Sequence, residues 1–163
     1  MLIFFLAVFN YASAEWVDMS YTFTNETIYW PGLKPFNHTL LHKGMNTAGY
    51  YYSSYDISAN EHGGTHTDAP SHFYEDGLSL DKVPLTSLIG PAVVVDISEK
   101  AARNQDYRLS VQDLEDWERN NGKIPDGAIV LQYSGWGKFF PNKTSFFRND
   151  PGNVTSLHFP GII

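Results

Sequence analysis

The 163-residue sequence contains no cysteine, so no disulfide framework holds its fold together and no thiolate is available for a soft metal ion. Basic residues are scarce, with 11 lysines and arginines against 18 acidic residues and a formal net charge of −7. This balance argues against a nucleic-acid partner and favours solubility. The chain is long enough for one domain with its own core, and it shows no internal repeat or long linker.

The N-terminal apolar run from Leu2 to Phe9 is too short to span a bilayer. The small residues Ala12-Ser13-Ala14 follow it, and together they predict a secretory signal peptide over residues 1–14. An apolar N-terminal strand is the alternative. Four glycosylation sequons agree with secretion, at Asn25, Asn37, Asn142 and Asn153. We therefore expect a secreted, extracellular glycoprotein with no membrane span, whose domain occupies residues 15–163.

The most distinctive stretch runs from His62 to Phe73 and reads H-G-G-T-H-T-D-A-P-S-H-F. Its three histidines and one aspartate, at positions 62, 66, 68 and 72, are separated by even numbers of residues, which places their side chains on one face of an extended chain. The two glycines permit a tight turn that brings His62 back towards His66, and Pro70 fixes a second bend before His72. Two glycines and a proline exclude a helix.

This set of side chains suits a divalent metal ion. Two imidazoles and one carboxylate are a common catalytic zinc set that leaves a position open for water, and Zn²⁺ or Mn²⁺ fits nitrogen and oxygen ligands. The alternative is a polar turn whose histidines hydrogen-bond to the backbone.

The stretch resembles the signature H-x-G-T-H-x-D-x-P-x-H-F of the cyclase family, which includes bacterial-type kynurenine formamidases and isatin hydrolases. Two other pieces agree in order, Trp30-Pro31-Gly32 and Leu131-Gln132-Tyr133-Ser134-Gly135-Trp136. The resemblance implies an α/β fold, the swivelling β/β/α domain, with a mixed sheet and flanking helices. It also implies that His62, His66 and Asp68 are metal ligands and that His72 is a catalytic acid-base.

One departure from the family pattern concerns the C-terminal part. Family members continue through a G-I-D-T-like segment to a later histidine and glutamate that complete the metal centre, and none of these is present here. We therefore expect residues 15–163 to form an incomplete domain with its C-terminal part missing, which alone is a poor catalyst and an unstable monomer. A homodimer that covers the exposed edge is the expected form if the chain is a natural isoform.

Local patterns predict the elements around this stretch. We expect strands over residues 15–23, 38–43 and 50–58, buried strands over 92–97 and 128–132, and a helix over 110–121 that Ser110 and Asp113 cap. Strand, helix and strand from 92 to 132 indicate a crossover unit. Trp136 follows the last strand, where α/β sheets bind ligands, so Trp136 and Trp30 are candidate substrate contacts; a core tryptophan is the alternative for Trp136.

These observations indicate metal-assisted hydrolysis of a carbonyl compound of low molecular weight. The resemblance narrows the substrate to an amide or cyclic amide, foremost an aryl formamide such as N-formylkynurenine on the route from tryptophan to kynurenine. Two other functions remain open. One is a secreted homologue that binds metal without turnover, and the other is a carbohydrate-binding module built on the tyrosines from Tyr50 to Tyr55.

Secretion gives the first testable prediction. When the full chain is expressed in a eukaryotic secretory host, N-terminal sequencing of the secreted protein should find a start near Glu15, and deglycosylation should reduce its mass. Replacing the four sequon asparagines by glutamine should abolish that mass shift. An unprocessed, unglycosylated cytosolic product would contradict the prediction.

Overall fold

The computed structural model describes residues 15–148 and 152–163, so the expected signal peptide over residues 1–14 lies outside the described residues. The strands are β1 (Asn37–Met45), β2 (Tyr51–Ser58), β3 (Ala92–Asp96), β4 (Arg108–Leu109), β5 (Ile129–Tyr133) and β6 (Gly161–Ile162). The helices are α1 (Ser98–Arg103), α2 (Val111–Asn121) and α3 (Lys143–Phe147). No helix among these residues combines the length and the hydropathy that a membrane crossing requires.

The crossover unit is confirmed. Strands β3 and β5 pair in parallel, with Val94 opposite Leu131, and α1 and α2 lie between them in the chain. Helix α2 begins after Ser110, whose hydroxyl accepts from the backbone N–H of Asp113 in a capping box, and ends at Gly122. The short helices α1 and α3 and the short strands β4 and β6 have no counterpart among the predicted elements. Strand β4 pairs in parallel with β6, which brings the end of the described chain against the start of α2.

The core lies between α2 and one face of this unit. Val95, Ile97 and Leu109 are buried there, and Trp117 packs on them while its Nε1–H donates to the carbonyl of Val94 at 2.8 Å. Burial alternates along β3, and the side chain of Val94 is 54% exposed. The expectation that this strand is buried on both faces is therefore wrong for the described residues, because α2 covers only one face.

The expected first strand over residues 15–23 is also wrong, since no strand is formed there. The backbone in this segment bonds to side chains instead of a neighbouring strand. The N–H of Ser20 donates to Asp18, and the N–H of Tyr21 donates to Oγ1 of Thr65 at 2.9 Å. The segment thereby runs beside the His62–Phe73 stretch without joining a sheet.

Strands β1 and β2 form an antiparallel hairpin with a bulge after Leu40. Cross-strand partners share a face, and one face is apolar and exposed; Leu40, Met45, Tyr51, Tyr55 and Ile57 are between 38% and 69% exposed. A homodimer stays a prediction.

The buried carboxylate of Asp113, in the first turn of α2, has three hydrogen-bond partners: Lys100, Tyr107 and Ser110. Burial disfavours its ionised form, but the ammonium of Lys100 and hydrogen bonds from Ser110 and Tyr107 outweigh burial and hold the pKa of Asp113 well below its ordinary value. The carboxylate therefore joins α1, the 107–110 segment and the first turn of α2.

Replacing this carboxylate tests its role. Asp113→Ala should lower the free energy of unfolding by about 2–4 kcal/mol, because it removes a cap and leaves buried donors unpaired. Urea titration measures the loss, and Asp116→Ala on the same helix, whose pair with Arg119 is exposed, should cost about 0.5 kcal/mol. Since folding depresses the pKa of Asp113, the difference from wild type should persist at neutral pH and narrow only in strong acid. Equal losses in the two variants would contradict this role.

Candidate metal centre

The His62–Phe73 stretch is anchored on the most buried part of the N-terminal half. Thr27, Ile28 and Tyr29 are buried, Tyr29 forms an isolated antiparallel bridge with Gly63, and the N–H of Gly64 donates to the carbonyl of Ile28 at 3.1 Å. The predicted glycine turn is present: Gly64 has a φ of 65°, which favours glycine. The turn returns the chain so that His62 and His66 approach each other.

One carboxylate oxygen joins the two imidazoles. Oδ1 of Asp68 lies 2.7 Å from Nδ1 of His62 and 3.2 Å from Nε2 of His66. The hydrogen bond from His62, together with the positive fields of the surrounding imidazoles, lowers the pKa of Asp68 below its ordinary value against a smaller opposing effect of burial. Asp68 is therefore a carboxylate at neutral pH, as a metal ligand must be.

The orientation of His66 also suits a ligand. Its Nδ1 lies 3.0 Å from the carbonyl oxygen of Gly64, which can only accept, so the neutral form of the ring keeps its proton on Nδ1 and presents the lone pair of Nε2 to an ion. The 3.2 Å between this Nε2 and Oδ1 of Asp68 is close to the edge, about 3.3 Å, of a tetrahedron with metal–ligand distances of about 2.0–2.1 Å. This pair of donor atoms therefore fits Zn²⁺ or a similar divalent ion, whereas Nδ1 of His62, at 2.7 Å from the same oxygen, is at hydrogen-bond distance.

His72 lies within the same cluster. It ends the short turn Pro70–His72, and its ring stacks on that of His62 with 3.7 Å between centroids. One ligand atom each from His62, Asp68 and His72 can be chosen so that all three lie within 4.8 Å of one another. The geometry thus places His72 where it can hold a proton beside the other three or bind the ion itself.

The cluster faces a cavity of about 1040 Å³. His62, His66, Asp68 and His72 line it, and part of its wall is aromatic. Trp30, Phe147 and Phe159 meet edge to face there, with centroid distances between 6.2 and 6.5 Å. A large apolar chamber with a few convergent polar groups is typical of a small-molecule site.

The two candidate substrate contacts have different positions. Trp30 lines the cavity, as expected. Trp136 does not: it is buried, and its Nε1–H donates to the carbonyl of Phe146 at 2.8 Å. Trp136 is therefore a core tryptophan, the alternative given above, and not a wall of the cavity. Its hydrogen bond anchors the segment that carries Phe146 and Phe147.

Comparison with known proteins agrees with this geometry. The family model described as "Putative cyclase" matches residues 17–162. The chain belongs to the cyclase family. An isatin hydrolase of Roseibium aggregatum is 34% identical over 106 residues, which are 62% of this chain and 39% of that protein. A kynurenine formamidase of Bacillus mycoides is 31% identical over 140 residues, which are 85% of this chain and 61% of that protein.

Solved cyclase-family structures share the fold. Isatin hydrolase A from Labrenzia aggregata, bound to benzyl benzoate, superposes with a TM-score of 0.75 at 30% identity and covers 90% of this chain and 59% of that chain. An isatin hydrolase bound to the product analogue thioisatinate gives a TM-score of 0.74 at 25% identity, with 90% and 58% covered. The α/β cyclase-family fold is thus confirmed. The chain spans about two fifths to three fifths of the length of these relatives.

All four sequon asparagines of this cyclase-family chain are exposed. Two of them also cap short helical turns: Asn142 accepts from the N–H of Ser145 before α3, and Asn153 accepts from the N–H of Thr155. Exposure is necessary for glycosylation, and glycosylation itself stays a prediction.

Several cavity residues were not predicted as site residues. Phe147 and Phe159 come from α3 and from the segment before β6, and Tyr21, whose ring stacks on Phe140 at 4.2 Å, comes from the N-terminal segment. The aromatic content of 15% is the one feature of the sequence that points to aromatic cavity residues, and it does not identify which rings line the cavity.

Metal content tests the assignment of the ligands. His66→Ala and Asp68→Ala should each sharply reduce bound Zn²⁺ or Mn²⁺, while His38→Ala, on the exposed hairpin, should leave the content unchanged. His72→Ala should retain the ion if His72 moves protons and lose it if His72 is a ligand. Mass spectrometry under native conditions and plasma emission measure the stoichiometry. Unchanged content in both the His66 and Asp68 variants would contradict the assignment.

Proposed function

We propose that this chain carries the metal-binding part of an amide hydrolase, and that the substrate is an aryl formamide such as N-formylkynurenine. The observation that carries the proposal is the convergence of His62, His66, Asp68 and His72 on a cavity with an aromatic wall. The cyclase-family relatives named kynurenine formamidase and isatin hydrolase support it. Both names imply an acyl group on an aryl nitrogen.

His62, His66 and Asp68 would hold the ion. When bound, a divalent cation lowers the pKa of a coordinated water and polarises a carbonyl oxygen, which is the chemistry that amide hydrolysis needs. The fit rests on the donor set: two imidazole nitrogens and an ionised carboxylate, with the lone pair of His66 on Nε2. Whether the ion is Zn²⁺ or Mn²⁺ follows from metal availability as much as from these ligands.

His72 is the residue proposed to move a proton. An amine leaves an amide poorly unless its nitrogen is protonated, and an imidazole donates and accepts protons near neutral pH. The ring of His72 stacks on His62, which places it beside the ligand cluster in the lining of the cavity. One of its ring nitrogens would deliver a proton to the leaving nitrogen.

The aromatic wall would orient the aryl group. Trp30, Phe147 and Phe159 present edges and faces to a flat ring, and aromatic pairs prefer these arrangements. Binding the ring against this wall places the acyl carbon towards the histidines and displaces water from an apolar surface. An aliphatic formamide would lose this contact.

Two other functions make different predictions. A metal-binding homologue without turnover would keep the ion and show no hydrolysis. A carbohydrate-binding module would use the tyrosines of β2, but cross-strand pairing places Tyr51 and Tyr55 on one face of the hairpin and Tyr52 on the other, which splits the platform. Secretion is proposed on the sequence pattern of residues 1–14 and on the four sequons.

Activity of the full chain tests the proposal. With Zn²⁺ or Mn²⁺ added, purified protein should hydrolyse N-formylkynurenine or formanilide at less than about 1 s⁻¹, because part of the metal centre is missing, but still faster than an N-alkyl formamide, and a chelator should abolish the hydrolysis. His72→Ala should lower kcat by roughly 10² to 10⁴. His38→Ala serves as the matched control and should retain the wild-type rate.

Other outcomes would exclude this function. Metal binding without hydrolysis of any aryl amide, measured by release of formate, would favour the non-catalytic homologue. Retention on a glycan array that chelation does not change would favour the carbohydrate module.

A further inference from the structure

Gly63 has no room for a side chain, and the obstacle is a single aromatic ring. A Cβ built on Gly63 would overlap Cδ1 and Cε1 of Tyr29 and would lie 2.6 Å from its Cγ. The φ of Gly63 does not lie in the left-handed region, so an alanine is compatible with its backbone. The ring of Tyr29 is therefore the physical reason for a glycine at position 63.

The neighbouring glycine is constrained differently. Gly64 has a φ of 65°, and a Cβ there would meet Phe23 at 2.8 Å and Thr27 at 2.9 Å rather than Tyr29. Any side chain at Gly64 is strained whatever happens at Tyr29. The two adjacent glycines thus provide a matched pair, in which only one depends on the tyrosine ring.

Tyr29 uses its ring rather than its hydroxyl. The residue is buried, and its hydroxyl has no hydrogen-bond partner among the described residues. Burial raises the pKa of the Tyr29 phenol, so the group is neutral at physiological pH. An unpaired buried hydroxyl contributes nothing favourable by itself, so the part of the Tyr29 side chain that supports the site is the ring face, which contacts the Gly63 backbone beside the backbone bridge between the two residues.

Gly63 directly follows His62, whose position is set from both sides. The backbone N–H of His62 donates to Oδ1 of Asn60 at 2.8 Å, and its ring bonds to Asp68 and stacks on His72. A displacement of Gly63 by the width of a methyl group would rotate His62 out of this arrangement. Metal sites require ligand placement within about 0.5 Å.

We propose that Tyr29 is a positioning residue for the metal centre: the face of its ring packs on Gly63 and thereby fixes the direction in which His62 projects. The proposal rests on the proposed metal site, and it adds the buried residue on which the geometry of His62 depends. It gives a specific expectation, because removing the ring makes room for a side chain at position 63.

A double-mutant cycle in the full chain tests this. Tyr29→Ala, Gly63→Ala and the double variant are compared with wild type by Co²⁺ titration, with the visible spectrum of bound Co²⁺ as the readout of ligand geometry. Each single variant should weaken Co²⁺ binding about 10-fold, as loss of a supporting partner does. The double variant should bind no more weakly than Gly63→Ala, whereas independent effects would multiply to about 100-fold.

Three controls separate positioning from general stability. Tyr29→Phe should keep the wild-type affinity and spectrum, because it keeps the ring. Gly64→Ala should not be relieved by Tyr29→Ala, because its obstacles are elsewhere. Circular dichroism melting reports folding for every variant, and Tyr29→Val replaces Tyr29→Ala if the alanine variant does not fold.

Multiplying effects in the double variant, a changed spectrum in Tyr29→Phe, or equal relief of Gly64→Ala would overturn the proposal. If wild type binds no Co²⁺, the proposed function fails, and the positioning role is then read from the metal-free protein. The proton resonance of the hydrogen bond between Nδ1 of His62 and Asp68 should be lost in Gly63→Ala and restored in the double variant. Its persistence in Gly63→Ala would contradict the role of Tyr29.

Discussion

The hydrogen bond between His62 and Asp68 is the interaction on which the N-terminal half depends. It closes the stretch from 62 to 68 into a loop, holds one carboxylate oxygen within reach of a second imidazole, and keeps that carboxylate ionised. The loop is stable only because buried backbone beneath it, at Ile28 and Tyr29, supplies the partners that an exposed turn would lack. The polar cluster therefore rests on buried residues, and Ile28 and Tyr29 are more fully buried than most residues of the strands.

A second carboxylate organises the other half. Asp113 accepts hydrogen bonds from Lys100, Tyr107 and Ser110 between α1 and α2. Its pKa is lowered because these donors outweigh the effect of burial. The two sites illustrate different uses of the same group. Asp113 is enclosed and fully paired, which stabilises the crossover unit, whereas Asp68 is 52% exposed at the side chain and faces the cavity, which leaves it free to bind an ion.

The sequence could predict what depends on local spacing. The ligand stretch, the capping box at Ser110 and the parallel pair around α2 all follow from patterns within a few residues. Properties that depend on distant neighbours could not be predicted. Trp136 directly follows a strand, where a pocket residue is expected, but its indole N–H donates to the carbonyl of Phe146 and its ring is buried in the core. Val94 belongs to an apolar run, yet only one face of its strand is covered. Tyr29 and Gly63 are 34 positions apart, and only the fold shows their contact.

The imidazoles of the His62–Phe73 stretch should bind a divalent metal ion. X-ray absorption at the zinc edge of the Zn²⁺-loaded full chain detects this binding, because the outer-shell scattering counts the imidazole ligands. We expect a first shell of nitrogen and oxygen at about 2.0–2.1 Å with at least two imidazoles, and one imidazole fewer around the zinc that His66→Ala still binds. A first shell without imidazole, or a spectrum that His66→Ala leaves unchanged, would contradict the account.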